Sequence, residues 1–119
     1  MPRYADGFVI VLPKKNLKAY QAMSKRAGKI WKEYGALEYL ECAGDDLNTK
    51  YGTSFPKLAK VKRNETVVFS WILYKSRAQR DKVNARVMKD PRLAAEMSRP
   101  MPFEMKRMSH GGFTAIVDL

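Results

Sequence analysis

The sequence predicts a single α+β domain whose elements run strand, helix, strand, strand, helix, strand. Three observations carry that prediction. Runs rich in β-branched and aromatic residues occur at residues 4–12, 65–74 and 108–117. Between the first two, residues 14–34 switch to apolar positions three and four apart, the period of an amphipathic helix. The length, 119 residues, suits one core rather than two.

In strand one, Phe8, Val9, Ile10, Val11 and Leu12 form a run that Pro13 ends, with apolar residues on both faces. The first helix places Leu17, Tyr20, Ala27, Ile30, Trp31 and Tyr34 on one side and Lys18, Lys25 and Lys32 on another. Gly35 stands where a left-handed cap ends such a helix. Residues 36–43 then alternate Leu37, Tyr39 and Glu41 against Glu38, Leu40 and Cys42, which suits an edge strand with one wetter face. Gly44, Asp45, Asp46 and Asn48 mark a loop. Residues 50–63 hold five basic residues and no acid, and read as a long surface connection with a turn of helix.

Residues 65–74 form the strongest strand and the expected centre of the sheet. Val67, Phe69, Trp71 and Leu73 alternate with Thr66, Val68, Ser70, Ile72 and Tyr74. Ser76 and Gln79 have capping-box spacing, each side chain answering a free N–H at a helix start, and that helix is expected to close before Asp90 and Pro91. Residues 91–98 add a short helical turn. The last strand is expected over residues 108–117, with a bulge or a close backbone approach at Gly111 and Gly112.

Two interleaved right-handed βαβ crossovers in a four-stranded antiparallel sheet give the ferredoxin-like βαββαβ sandwich, with both helices on one face. The opposite face would have no cover from its own chain. With strands about 4.8 Å apart and about 3.3 Å per residue, that face projects about 400 Å². An apolar patch of this size sits at the limit a monomer tolerates, so a homodimer through the open sheet face is expected, giving a dimeric α+β barrel.

Composition narrows the functional classes. Hydrophobic residues at 45% and charged residues at 29% are those of a folding globular chain, not a disordered one. The amino terminus offers no apolar run long enough for a signal core or a membrane span, and a cytoplasmic protein is expected. Cys42 is the only cysteine, so no internal disulfide forms, and one thiol with one histidine builds no zinc site. Cys42 itself reads as a half-buried small apolar side chain. Neither a phosphate loop nor a nucleophile motif is present, and no cofactor is implied.

Several strings carry a resemblance: Asp6-Gly7-Phe8-Val9, Gly35-Ala36-Leu37, Glu41-Cys42, Val67-Val68-Phe69-Ser70-Trp71-Ile72, Asp90-Pro91-Arg92, Met101-Pro102-Phe103, Lys106-Arg107-Met108 and Gly111-Gly112-Phe113. As a set they resemble the YbaA-like bacterial proteins, a family of unknown function in the dimeric α+β barrel superfamily. The resemblance implies a ferredoxin-like protomer and a sheet-to-sheet homodimer. His110 and Met105 depart from the Tyr and Gly usual in that family.

A pocket is expected between helices and sheet, or between the sheet and a partner chain, lined by Asp6, Trp71, Tyr74, Arg107 and His110. His110 with Asp6 are the catalytic candidates, as a proton shuttle. Arg107 would hold an anionic oxygen, while Trp71 and Tyr74 would bind the ligand. Each has a plainer role: a turn residue for His110, a carboxylate paired to Arg107 for Asp6, a packing residue for Trp71. Three functional readings stay open: a small-molecule-binding or enzymatic dimer, a nucleic-acid (RNA) binding protein suggested by the net charge of +11, and a non-enzymatic accessory dimer.

Overall fold

The computed structural model describes residues 1–119. Four strands, β1 (Tyr4–Pro13), β2 (Glu38–Ala43), β3 (Glu65–Tyr74) and β4 (Ser109–Thr114), form one sheet in the order β2-β3-β1-β4, every neighbouring pair antiparallel. The helices are α1 (Leu17–Glu33), α2 (Phe55–Leu58), α3 (Arg77–Met88) and α4 (Pro91–Met97). This is the expected ferredoxin-like arrangement. No helix is long and apolar enough to cross a membrane.

Local chemistry fixes the boundaries. A 3-10 turn at Lys14–Asn16 precedes α1, so the helix proper starts three residues later than its periodicity suggests. At its far end Gly35 has φ +118°; its N–H bonds to the Lys32 carbonyl, and the Ala36 N–H bonds to the Trp31 carbonyl. Those two bonds make the left-handed Schellman stop. Ser76 caps α3 by accepting from the Gln79 N–H at 3.2 Å. The Gln79 amide does not return the bond to Ser76: its oxygen takes the Lys75 N–H, and its nitrogen donates to the Gly35 carbonyl, tying α3 to the end of α1. Asp90 caps α4 through the Arg92 N–H at 2.8 Å, with Pro91 in the first turn where no N–H is needed.

The last strand is shorter than expected. It ends at Thr114, which pairs with Tyr4, the first residue of β1; past Ala115, whose N–H still bonds to the Arg3 carbonyl at 2.9 Å, residues 116–119 have no strand to extend along. The glycines in β4 do not bulge, since the β1 pairing is continuous from Thr114 to Ser109. They serve close approach instead: a Cβ on Gly112 would collide with the Tyr4 ring.

Alternation sorts the sheet into two surfaces. Asp6, Phe8, Ile10, Leu12, Val68, Ser70, Ile72 and Tyr74 point to the helices, with Tyr39 and Glu41 from β2 and His110 from β4 in register beside them. Under the helices lie two buried clusters. One joins Ile72 and Tyr74 to Ile30, Val83, Val87 and Leu93, the other joins Ile10, Leu12 and Val68 to Tyr20, and Phe8 touches both. Val9, Leu40, Cys42, Phe69, Trp71, Leu73 and Phe113 point to the other surface.

That second surface is not wholly without cover from its own chain. At one end Val11 and Val67 are buried, the Gly44 N–H bonds to the Val67 carbonyl, and α2 packs Phe55 on Phe69 at 6.1 Å. Beyond that end it is bare, with Phe69 43% and Phe113 62% exposed. Cys42 is exposed there rather than half-buried, because β2 is an edge strand and Cys42 faces away from the helices.

Candidate functional site

Between the two core clusters a cavity of about 560 Å³ opens beneath the helices. Its floor is the helix side of the sheet. Its walls are α1, through Tyr20, Met23, Ser24, Ala27 and Trp31, the facing sides of α3 and α4, and the segment from Met101 to Met108. The α1 residues recur at three- and four-residue steps, so one helix face supplies them all. Three ties hold α4 against α1: Arg26 grips Glu96 through two bonds of 2.8 and 2.9 Å, Arg92 grips Glu33 through two of 3.2 and 2.6 Å, and the Tyr34 hydroxyl donates to Asp90 at 2.7 Å. Of seven methionines, all six beyond Met1 line this space. Unbranched, polarisable thioethers let such a wall reshape around different apolar surfaces.

Three carboxylates reach the cavity. Asp6 is 7% exposed and pairs with Arg80 at 2.7 Å, and that guanidinium lies 4.9 Å over the Tyr4 ring. Glu96 pairs with Arg26. Glu41 has no cationic partner at salt-bridge distance. Two phenols take the place of one: Tyr20 donates to one carboxylate oxygen at 2.6 Å and Tyr39 to the other at 2.9 Å. Burial first, and the adjacent Glu41 second, hold both phenols far above the usual tyrosine range, so they remain donors.

Gly28 makes this cluster possible, since a Cβ there would sit 2.6 Å from the Tyr39 ring. Asn84 of α3 closes the neighbouring wall, its side-chain oxygen accepting from the Trp31 indole at 3.0 Å and the Tyr74 hydroxyl at 3.3 Å.

The residues singled out from sequence fall in different places. Asp6 and His110 both line the cavity, on adjacent strands and the same face. They do not form a pair: Asp6 is taken by Arg80, not by Arg107, and His110 stacks on Phe8 with ring centroids 6.0 Å apart. Trp71 borders the cavity, but its register puts the side chain on the opposite surface, where the indole N–H donates to Glu38 at 3.3 Å. Tyr74 is fully buried in the core. Arg107 lies outside the cavity and clamps Glu65 at 2.6 and 2.9 Å and the Lys60 carbonyl at 3.0 Å. Glu41, Tyr20 and Tyr39 were not among the expected site residues. Alternation in β2 puts Tyr39 and Glu41 on one face and helical spacing puts Tyr20 inward, but only the crossover brings the three together.

A βαββαβ sheet roofed by helices on one side and open on the other defines a ferredoxin-like α+β protein. More narrowly, the chain belongs to the DUF1428 family of proteins of unknown function, whose sequence profile matches residues 3–105. It is 43% identical over 116 residues to the uncharacterized protein YbaA of Escherichia coli K12, covering 98% of both chains. Among solved structures it is similar to a dimeric ferredoxin-like protein from an uncultured marine organism, with TM-score 0.63, 13% identity and full coverage of both chains. It is also similar to SnoaB, a cofactor-independent oxygenase from Streptomyces nogalater, with TM-score 0.63 and 10% identity over 100% of this chain and 98% of that one. At such identities these two likenesses concern the fold alone.

Proposed function

We propose that this protein acts as a homodimer in which each protomer binds, and in an enzymatic role transforms, a small organic molecule in the cavity between helices and sheet. The observation that carries this reading is the cavity itself: about 560 Å³ of mainly apolar and aromatic wall into which a few polar groups converge, the usual form of a small-molecule site. Native mass spectrometry of freshly purified protein tests it. A bound organic molecule is expected in the wild type and not in Ala27→Trp, whose indole fills the space. No bound molecule, together with no shift of cavity resonances on screening small organic ligands, overturns it.

The second copy is the occupant best suited to the bare surface. Burying about 400 Å² of it would favour association by roughly 10 kcal/mol per subunit before entropic and polar costs. A stable interface needs about 800 Å² per partner, and Phe55 and Leu58 of α2, on the same side, extend the apolar area. The dimeric marine neighbour supports the same assembly. Sedimentation at micromolar concentration should give a dimer; monomers alone would refute it.

A nucleic-acid reading has one specific observation in its favour. Lys14, Lys15, Lys62 and Arg63 converge at one end of the sheet, and none of the four side chains forms a salt bridge. RNA titrated against nuclease-treated protein at rising salt decides it: absence of salt-dependent binding near physiological ionic strength removes that reading.

A further inference from the structure

We propose that the cavity is built for an organic cation, a protonated amine or basic heterocycle on an apolar body, whose charged nitrogen is held by Glu41. This rests on the cavity being a ligand site and adds the chemical class of the ligand.

Charge bookkeeping inside the cavity points to it. Asp6 is neutralised by Arg80 and Glu96 by Arg26, both at hydrogen-bonding distance, whereas Glu41 has only two neutral phenols. A carboxylate offers about four lone-pair sites. Tyr20 and Tyr39 use one on each oxygen, which leaves acceptor capacity on both. A half-buried carboxylate gains most from a donor that also carries charge, because charge-assisted hydrogen bonds are about twice as strong as neutral ones.

The rest of the lining agrees. Tyr39 stands beside Trp31 with centroids 6.2 Å apart, and Tyr20 meets Phe103 edge-on at 5.7 Å. Aromatic rings around a carboxylate are the usual surroundings of a bound ammonium, which their faces attract. Methionine thioethers accommodate the apolar remainder without fixing its shape.

Against this stands the rest of the molecule. A formal charge of +11 repels cations and draws anions, so a preference for an amine runs counter to the overall field and must come from the site.

Three probes that share an indole and differ in their end group separate the outcomes: tryptamine, tryptophol and indolepropionate. Each is titrated into the wild type and Glu41→Gln by calorimetry, with backbone amide shifts locating the site. The wild type should bind tryptamine roughly tenfold or more tightly than tryptophol, and indolepropionate weakest, as expected of one charge-assisted bond. Glu41→Gln should erase most of the tryptamine advantage and leave tryptophol within about threefold of its wild-type affinity. The ranking in the wild type decides the matter even where the variant does not fold.

Should tryptophol or indolepropionate bind the wild type as tightly as tryptamine, the cation inference falls and the cavity reading stands. The same holds if Glu41→Gln keeps the full preference. If none of the three moves a cavity resonance, this inference falls, while the cavity reading is decided by native mass spectrometry and the wider ligand screen.

Discussion

On the helix side of the sheet the strands present Asp6, Glu41, Ser70 and His110 among apolar neighbours; on the other side the same strands present Gly7, Val9, Leu40, Phe69, Trp71 and Phe113. Polar groups occur where helices can answer them: Arg80 reaches down to Asp6 and Tyr20 to Glu41. No helix covers most of the other surface, and apart from Glu38 at the edge, which takes the Trp71 indole, its exposed central positions are apolar. A surface with directional groups suits a small molecule, whereas a surface with almost none suits a second copy of itself. On the proposed reading the two faces of one strand serve separate roles, and each can be damaged alone.

Breaking the bare side should give the largest effect. Phe69→Arg puts a charge at the centre of the proposed interface, where Phe69 touches Phe55 and Trp71. Dimer affinity is expected to fall by about a hundredfold or more, as for loss of a central anchor. Sedimentation should report monomers, while probe affinity for the cavity changes less than about threefold, since the substitution lies on the other face. A parallel loss of cavity binding would mean that the partner completes the site.

Gly28→Ala attacks the cavity side. The added methyl gains helix propensity of about 1 kcal/mol but displaces a ring held by both Trp31 and the Glu41 bond, and overpacking costs about 1–3 kcal/mol. A net loss of about 1 kcal/mol is expected in urea unfolding, with dimer affinity unchanged. Equal or greater stability would mean that Tyr39 yields freely and is not a fixed part of the cluster.

Cys42 reports on the bare side without a perturbing substitution. Its thiol is exposed in the protomer and would be covered in the dimer. Maleimide labelling should accelerate roughly tenfold on dilution below the dimer dissociation constant, and Phe69→Arg should label at the faster rate at every concentration.

Much of this division can be read from period alone. Residues 65–74 alternate so regularly that both faces of β3 follow from the sequence, and Gly35 marks the helix end without tertiary information. The site is legible only in part. Asp6 and His110 reach the cavity because adjacent strands in register bring like faces together. Trp71 suggests a ligand platform by residue type, yet alternation with Ser70 sends its ring to the opposite surface. Glu41 lies in a strand read as having one wetter face, and which face meets the helices, and so Tyr20, follows only from pairing with β3. Arg107 finds Glu65, 42 residues away, through the return of the chain into β4, a contact that local spacing does not encode.

That Glu65–Arg107 pair sits where β3 begins, outside the cavity lining, and it offers a control on the cavity side. Two guanidinium bonds and the Lys62 N–H lower the Glu65 carboxyl from 4.5 to about 2, the Arg107 hydrogen bonds being the largest cause. A carboxylate whose folded pKa lies below its unfolded value contributes stability fully above the unfolded value, and that contribution is lost as pH falls through the folded one. The stability gap between wild type and Glu65→Gln should thus stay constant from neutral pH down to about 4.5, shrink from there to about 2, and vanish below. Other lowered carboxyls, Asp90 among them, titrate in both proteins and cancel in the difference. Cavity binding should follow wild type at neutral pH, because neither Glu65 nor Arg107 lines the cavity. A gap that persists undiminished to pH 2 would show that Glu65 stabilises through its backbone and packing contacts rather than through its charge.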